Sequence, residues 1–186
     1  MAEVKILVEG FASGDFSDEE ERTRATITLI EDGDIKIVVD PGVLKSQDIL
    51  ISALERNGLS VNDIDIVCIT HSHINHYRNI GMFPEAKTLE FYGLWDKESV
   101  EDWNENFSED IKIIKTPGHD KSSISLLVKT KNGSVAVVGD LFWKENYPEK
   151  DPYADSPEKL EESRNKILEI SDWIIPGHGK IFKVKK

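Results

Sequence analysis

Cysteine is nearly missing from this chain: Cys68 stands alone, so no disulfide can close within it. Its apolar neighbours point to a buried, inert thiol, and both features fit a reducing cytoplasm. Long apolar runs are missing as well, and none approaches the roughly 18 residues that a membrane span requires. The N-terminus, Met1-Ala2-Glu3-Val4-Lys5, carries an acid early and no extended apolar stretch, which argues against a signal peptide. Positive charge is in short supply, with 23 Lys and Arg against 35 Asp and Glu, a net charge of −12. Such a chain repels polyanions at long range, which disfavours nucleic acid as a partner unless a local basic groove or bound metal ions offset it. What remains, 39% hydrophobic and 31% charged residues over 186 positions, predicts a globular domain spanning residues 1–186 with a substantial core.

Histidine is scarce too, yet three of the five crowd into Thr70-His71-Ser72-His73-Ile74-Asn75-His76. This stretch follows Asp65-Ile66-Val67-Cys68-Ile69, which reads as a buried strand. A helix would set His71 and His73 about 200° apart. A strand would put His71 and His73 on one face and His76 on the other. The three converge only where a strand end breaks into a loop, a place where ligands are commonly presented. The remaining two, His119 and His178, each follow a Pro-Gly pair.

Val4 to Val8, Thr26 to Ile30 and Ile35 to Val39 read as strands, the last two joined by Glu31-Asp32-Gly33-Asp34. Gly10 to Arg24 reads as a solvated acidic loop, with a mobile flap over a site as the alternative. Asp40-Pro41-Gly42 stops the third strand. Leu44 to Arg56 is predicted to be an amphipathic helix with Leu50, Ile51 and Leu54 on its buried side and Asn57-Gly58 as its exit. A short helix is predicted to start near His76 and to end before Gly81 or Pro84. Thr88 to Tyr92, Ile111 to Lys115, Ile124 to Lys129, Val135 to Val138 and Trp173 to Ile175 are further strands, with Ile181 to Val184 as a last candidate. Trp95 to Asp110 yields no assignment beyond a loop or short helix. Ser156-Pro157-Glu158 starts a helix that runs to about Ile170. Strands in runs with two long helices predict an α+β architecture: two sheets packed face to face and flanked by helices.

His71, His73, His76, His119, Asp140 and His178 all fall just after predicted strands, whose ends gather on one edge when the strands run in one direction. Imidazole and carboxylate are ligands for zinc, iron or manganese. Six such groups exceed what one hydrolytic metal takes and suit two metals sharing Asp140 as a bridge. A metal pair of this kind activates a hydroxide at neutral pH and polarises a substrate oxygen. No serine or cysteine nucleophile has a spare histidine beside it.

Taken in order, His71-x-His73-x-Asn75-His76, Thr116-Pro117-Gly118-His119, Gly139-Asp140 and Pro176-Gly177-His178-Gly179 resemble the motifs of the metallo-β-lactamase superfamily, and Val38-Val39-Asp40-Pro41-Gly42 is similar to one of its early strand turns. The resemblance spans roughly Ile27 to Gly179. It implies a four-layer αβ/βα sandwich with a metal centre in a cleft along one edge. It also implies that His71, His73 and His119 hold a first metal, that His76 and His178 help hold a second, and that Asp140 bridges them and takes part in catalysis. Zinc is the expected ion, one or two per chain, with iron or manganese as alternatives. Asn75 is the departure, because the family usually carries Asp there as a second-metal ligand of catalytic importance. An amide oxygen is a weaker, neutral ligand. That leaves open a weaker second metal, a one-metal site, or a substitution that quiets the enzyme.

The branches of the superfamily separate on residues. The best-known lactamases carry cysteine where Asp140 stands, and flavodiiron proteins carry glutamate where His73 stands. Glyoxalase II appends a helical domain, and RNA-processing members insert a domain or a basic arm. The expectation is therefore a compact hydrolase cleaving a small ester, thioester, lactone or phosphodiester. The alternatives are a metal-dependent ribonuclease, or a metal-binding protein whose catalysis Asn75 has reduced or abolished. Trp143, Tyr147, Tyr77 and Arg78 are candidate pocket walls, and Lys144 or Arg78 a candidate anion contact.

Overall fold

The computed structural model describes residues 1–13, 22–146 and 148–185. The acidic stretch between Ser13 and Arg22, and the proposed wall residue Tyr147, lie outside the described residues.

The first half of the chain builds β1 (Glu3–Val8), β2 (Phe11–Ala12), β3 (Thr23–Arg24), β4 (Ile27–Asp32), β5 (Ile35–Val39), α1 (Asp48–Glu55), β6 (Ile66–Cys68), α2 (Ile74–Tyr77), β7 (Lys87–Glu90), β8 (Gly93–Asp96) and β9 (Ser99–Glu101). The second half adds β10 (Ile111–Lys115), β11 (Ile124–Thr130), β12 (Gly133–Val137), α3 (Pro157–Ile170), β13 (Trp173–Ile175) and β14 (Phe182–Lys183). Among the described residues these strands form a seven-stranded sheet in the order β1-β4-β5-β6-β7-β8-β9, a five-stranded sheet in the order β10-β11-β12-β13-β14, and a β2–β3 ribbon.

Side-chain alternation along each strand sorts the core into three layers. Ile37, Val39, Ile66 and Cys68 meet Ile113, Leu126, Val137 and Ile175 between the sheets. Val38 and Val67 face the other way, onto Leu50, Ala53 and Leu54 of α1. Ala136, Val138 and Ile174 likewise face Leu160 and Ile167 of α3. Helix, sheet, sheet, helix is the predicted αβ/βα sandwich. Sheet-to-sheet burial of this kind is worth about 1.5–3 kcal/mol for each fully covered aliphatic side chain.

Strand direction places the site. β5, β6 and β7 pair in parallel, as do β12 and β13, and β10 runs the same way as β12 because both are antiparallel to β11. The C-terminal ends of β5, β6, β10, β12 and β13 deliver Asp40, the histidine stretch, His119, Asp140 and His178.

Three elements differ from the expectation. α1 begins at Asp48, not Leu44, and its buried stripe is Leu50, Ala53 and Leu54. Ile51 stands about 100° round from Leu50 and is exposed. Ser46 ends the preceding turn by accepting the Asp48 N–H at 3.2 Å. The short helix starts at Ile74, two residues before His76. Gly93–Asp96 and Ser99–Glu101 form an edge hairpin that runs into the unassigned stretch Trp95 to Asp110. Lys97 takes the left-handed conformation there (φ 56°), where Asn or Gly would have advertised the turn.

Candidate metal centre

Six of the sequence-nominated groups meet in one place. His71 Nε2 lies 3.1 Å from His73 Nδ1, and His119 Nε2 lies 2.9 Å from the same nitrogen. Asp140 Oδ2 is 3.4 Å from His119 Nε2 and 3.7 Å from His71 Nε2. Asp140 Oδ1 lies 3.2 Å from His76 Nε2 and 3.1 Å from His178 Nε2, and His178 Nε2 is also 3.2 Å from Oδ2. Two donor groups share Asp140, His71/His73/His119/Asp140 and His76/Asp140/His178, and both could hold a metal ion; Asp40, His71 and His76 form a third such set among the described residues.

The outward nitrogens show which atoms face inward. Thr70 Oγ1 donates to Asp40 Oδ2 at 2.7 Å and so accepts the Nδ1–H of His71 at 3.0 Å. Asp40 also accepts the Nδ1–H of His76 at 2.8 Å. Asp151 accepts the Nδ1–H of His119 at 2.6 Å, and the Arg24 carbonyl accepts the Nδ1–H of His178 at 2.9 Å. Each of these rings thereby keeps its Nδ1 occupied and turns Nε2, the nitrogen left for a metal, toward Asp140. Inward lone pairs this close repel one another unless a cation sits among them.

Other features fit a cation as well. His76 Nε2 and Asp140 Oδ1 are buried with no hydrogen-bond partner, which costs free energy that a metal would recover. Donors about 2.0–2.1 Å from a tetrahedral ion stand roughly 3.3 Å apart, close to the spacings above. The electrostatics agree. Burial pushes the Asp140 carboxyl up, but His76 and His178 override it and hold it well below the ordinary carboxylate range. Burial, reinforced by His76, holds His71 well below its ordinary value and therefore neutral, as a ligand must be. His76 is also pushed down by burial, yet Asp140 and Asp40 outweigh that and raise it to about 10. Without a metal, a proton fills its place.

Two glycines explain the Pro-Gly-His spacing. A Cβ on Gly177 would collide with Asp140 Oδ1 and the Gly139 backbone. A Cβ on Gly118, whose φ of +145° already favours glycine, would collide with the backbone of Leu160 in α3. The His119 loop can therefore sit directly on that helix.

His73, His119, Asp140 and His178 floor a cleft of about 330 Å³ walled by Ala12, Arg22, Thr23, Ile74, Trp143 and Tyr153. Asn75 also lines it. Trp143 is wedged edge-on against His119 and His178 at 6.4 and 6.2 Å, and stacks on Tyr153 at 5.9 Å and 16°. Tyr77 packs instead beneath the first sheet, and neither Arg78 nor Lys144 lines the cleft among the described residues. Asp40, Thr70, Asp151 and the β3 backbone are the functional neighbours that the sequence reading misses. Asp40 is legible as a strand stop within a family-like turn but not as a partner of His76, and Asp151 is one acid among many.

The family model of the metallo-β-lactamase superfamily matches residues 22–98. Metallo-beta-lactamase domain-containing protein 1 of Xenopus laevis is 36% identical over 193 aligned residues, which cover 98% of this chain and 82% of that protein. The chain belongs to the metallo-β-lactamase superfamily. A Methanocaldococcus jannaschii relative described as a probable metallo-hydrolase is 35% identical over 80% of this chain and 74% of its own length. Among solved structures, a Thermotoga maritima protein assigned to the metallo-β-lactamases superposes with a TM-score of 0.77 at 24% identity, covering 98% of this chain and 99% of that one. An N-acyl homoserine lactone hydrolase with product bound at its catalytic metal centre superposes at 0.68 and 17% identity, covering 95% and 92%. These superpositions show that the sandwich is the metallo-β-lactamase fold.

Proposed function

We infer that residues 1–186 form one metal-dependent hydrolase domain acting on a small ester, thioester, lactone or phosphodiester. His71, His73, His119 and Asp140 would hold one divalent metal, zinc first among candidates, and His76, Asp140 and His178 would hold a second. The observation that carries the reading is a single buried carboxylate shared between two inward-facing sets of imidazole nitrogens at the floor of an open cleft. The archaeal relative described as a metallo-hydrolase and the lactone hydrolase of the same fold support it.

When bound, the metals supply Lewis acidity and an acidified water. The chain's own groups do the rest. Asp40, Thr70, Asp151 and the Arg24 carbonyl hold four rings in the metal-binding tautomer. Trp143 packs edge-on against His119 and His178 in the cleft wall, and Ile74 and Tyr153 offer apolar contact to a substrate's leaving or acyl group.

Turnover of a panel of small esters, thioesters, lactones and phosphodiesters tests the proposal, run with Zn²⁺, Mn²⁺ or Fe²⁺ and after chelation. Chelator-sensitive cleavage of at least one class is expected. No turnover in any metal form would overturn it in favour of a non-catalytic metal protein, and cleavage of RNA alone would point to a nuclease.

A further inference from the structure

Each donor group contains one histidine backed by a buried carboxylate. Asp40 backs His76 in one group; in the other, Asp151 backs His119. The Asp151 side chain is 0% exposed, and its Oδ2 lies 2.6 Å from His119 Nδ1, on the ring edge away from Asp140. A carboxylate can only accept, so His119 carries a proton on Nδ1, and Nε2 is the nitrogen turned toward His73 and Asp140. Leaving an anion this deep is costly unless its oxygens are bonded, and both are. The other oxygen, Oδ1, accepts the backbone N–H of Tyr153 at 2.9 Å. Tyr153 stacks on Trp143, whose edge meets the His119 ring. The same loop also takes the backbone of the Pro-Gly-His turn: Asp155 N–H donates to the His119 carbonyl and Ser156 N–H to that of Gly118.

We propose that Asp151 is a positioning residue of the metal centre: one oxygen fixes the tautomer and orientation of His119, while the other holds Tyr153 against Trp143 in the cleft wall. The proposal rests on the metal-dependent reading of the site. It makes the loop before α3 part of the centre, so that the wall a substrate touches and a ligand to the first metal share one anchor.

Asp151→Ala and Asp151→Asn in the full chain test it, with three measurements on each. Histidine-selective NMR of metal-free protein reports the His119 tautomer. Chelator competition reports zinc affinity at both sites, and thermal unfolding reports stability. In the wild type, a strongly hydrogen-bonded Nδ1 proton is expected on His119. In Asp151→Ala that proton signal is lost and one of two zinc sites weakens by about 10- to 100-fold, the usual effect of removing a ligand's outer partner. Asp151→Asn keeps one acceptor oxygen and should fall between. It also keeps the side-chain volume, so it decides the matter if the alanine variant does not fold. A lowered melting temperature with wild-type zinc affinity and tautomer would make Asp151 merely structural and overturn the proposal. A wild type that takes up no zinc would sink the metal-centre reading and this proposal with it. A zinc-binding wild type matched by both variants would sink the role of Asp151 alone.

Discussion

Gly177 and Asp140 are in contact such that a methyl group on the first would take the place of Oδ1 on the second. Asp140 is 5% exposed and has the Gly139 backbone behind it, so it cannot retreat without leaving both donor groups. Gly177→Ala should therefore displace the shared carboxylate. Overpacking a rigid site costs about 1–3 kcal/mol, and both metals should weaken together. Metal counting after dialysis checks this; two tightly held metals in the variant would show that the carboxylate has room to move.

That contact also shows what the sequence could and could not reveal. The convergence of His71, His73, His76, His119, Asp140 and His178 as candidate donors was legible because each is marked by a strand end and a turn, chemistry local to a few residues. The sandwich was legible because strands with alternating burial, such as Ile37-Val38-Val39, write their two faces into the chain. The partners of those ligands were not. Asp40 reaches Thr70 and His76 across 30 and 36 positions, and Asp151 reaches His119 across 32, so nothing in a local window distinguishes them from other acids. The β8–β9 hairpin was missed for the opposite reason: its residues are mostly exposed and carry little pattern.

Asp40 adopts a left-handed backbone conformation (φ 49°) rare for a residue with a side chain. The strain is offset by bonds from the Thr70 N–H, the Thr70 hydroxyl and His76 Nδ1, at 2.8, 2.7 and 2.8 Å. Asp40→Asn leaves one oxygen for three donors and should cost about 1.5–3 kcal/mol, the value of a buried bond to a charged group. Its effect on metal should be largest at the His76/Asp140/His178 group, which it touches directly, and smaller at His71, which it reaches only through Thr70. Urea unfolding combined with zinc competition checks both. Weakening confined to the other group would contradict the assignment.

Cys68 lies fully buried between the sheets, and burial, helped by Asp40 and Glu90, pushes its thiol well above the ordinary value. The folded protein should therefore resist alkylation at pH 8 and react at once in denaturant. The raised value also fixes a sign. The thiol contributes stability below the unfolded-state value near 9.0, and that contribution fades as pH rises beyond it because the unfolded chain ionises first. Stability should fall between pH 8.5 and 10 more steeply in the wild type than in Cys68→Ala, as followed by urea midpoints. Parallel curves would show that Cys68 is not the group responsible.

Leu126 is 0% exposed at the middle of the layer between the sheets, where it joins the cluster that includes Ile37 and Val137. Truncation there opens a cavity that two packed sheets cannot close, so Leu126→Ala should cost about 2–5 kcal/mol. Metal affinity of the folded fraction should be unchanged, because no donor loop begins at β11's centre. Chemical denaturation with parallel metal counting separates these effects.

Asn75 sits in α2, between His73 and His76, and lines the cleft beside Asp140 and His178. The second donor group, His76/Asp140/His178, has one fewer donor than the first and shares its only carboxylate. In the motif that this stretch resembles, an Asp here is a second-metal ligand, so in Asn75→Asp the second metal should tighten while the first changes little. The gain also predicts a stability effect: an ion present at 100 times its dissociation constant adds about 2.7 kcal/mol to folding. At one fixed zinc concentration the variant should melt above the wild type, and chelator should erase the difference. Elemental analysis after dialysis supplies the stoichiometry. An increase toward two ions per chain in Asn75→Asp alone would mean that the amide is what keeps the second site weak. Two tight ions in both proteins would mean that His76, His178 and Asp140 suffice and that the amide costs the site nothing.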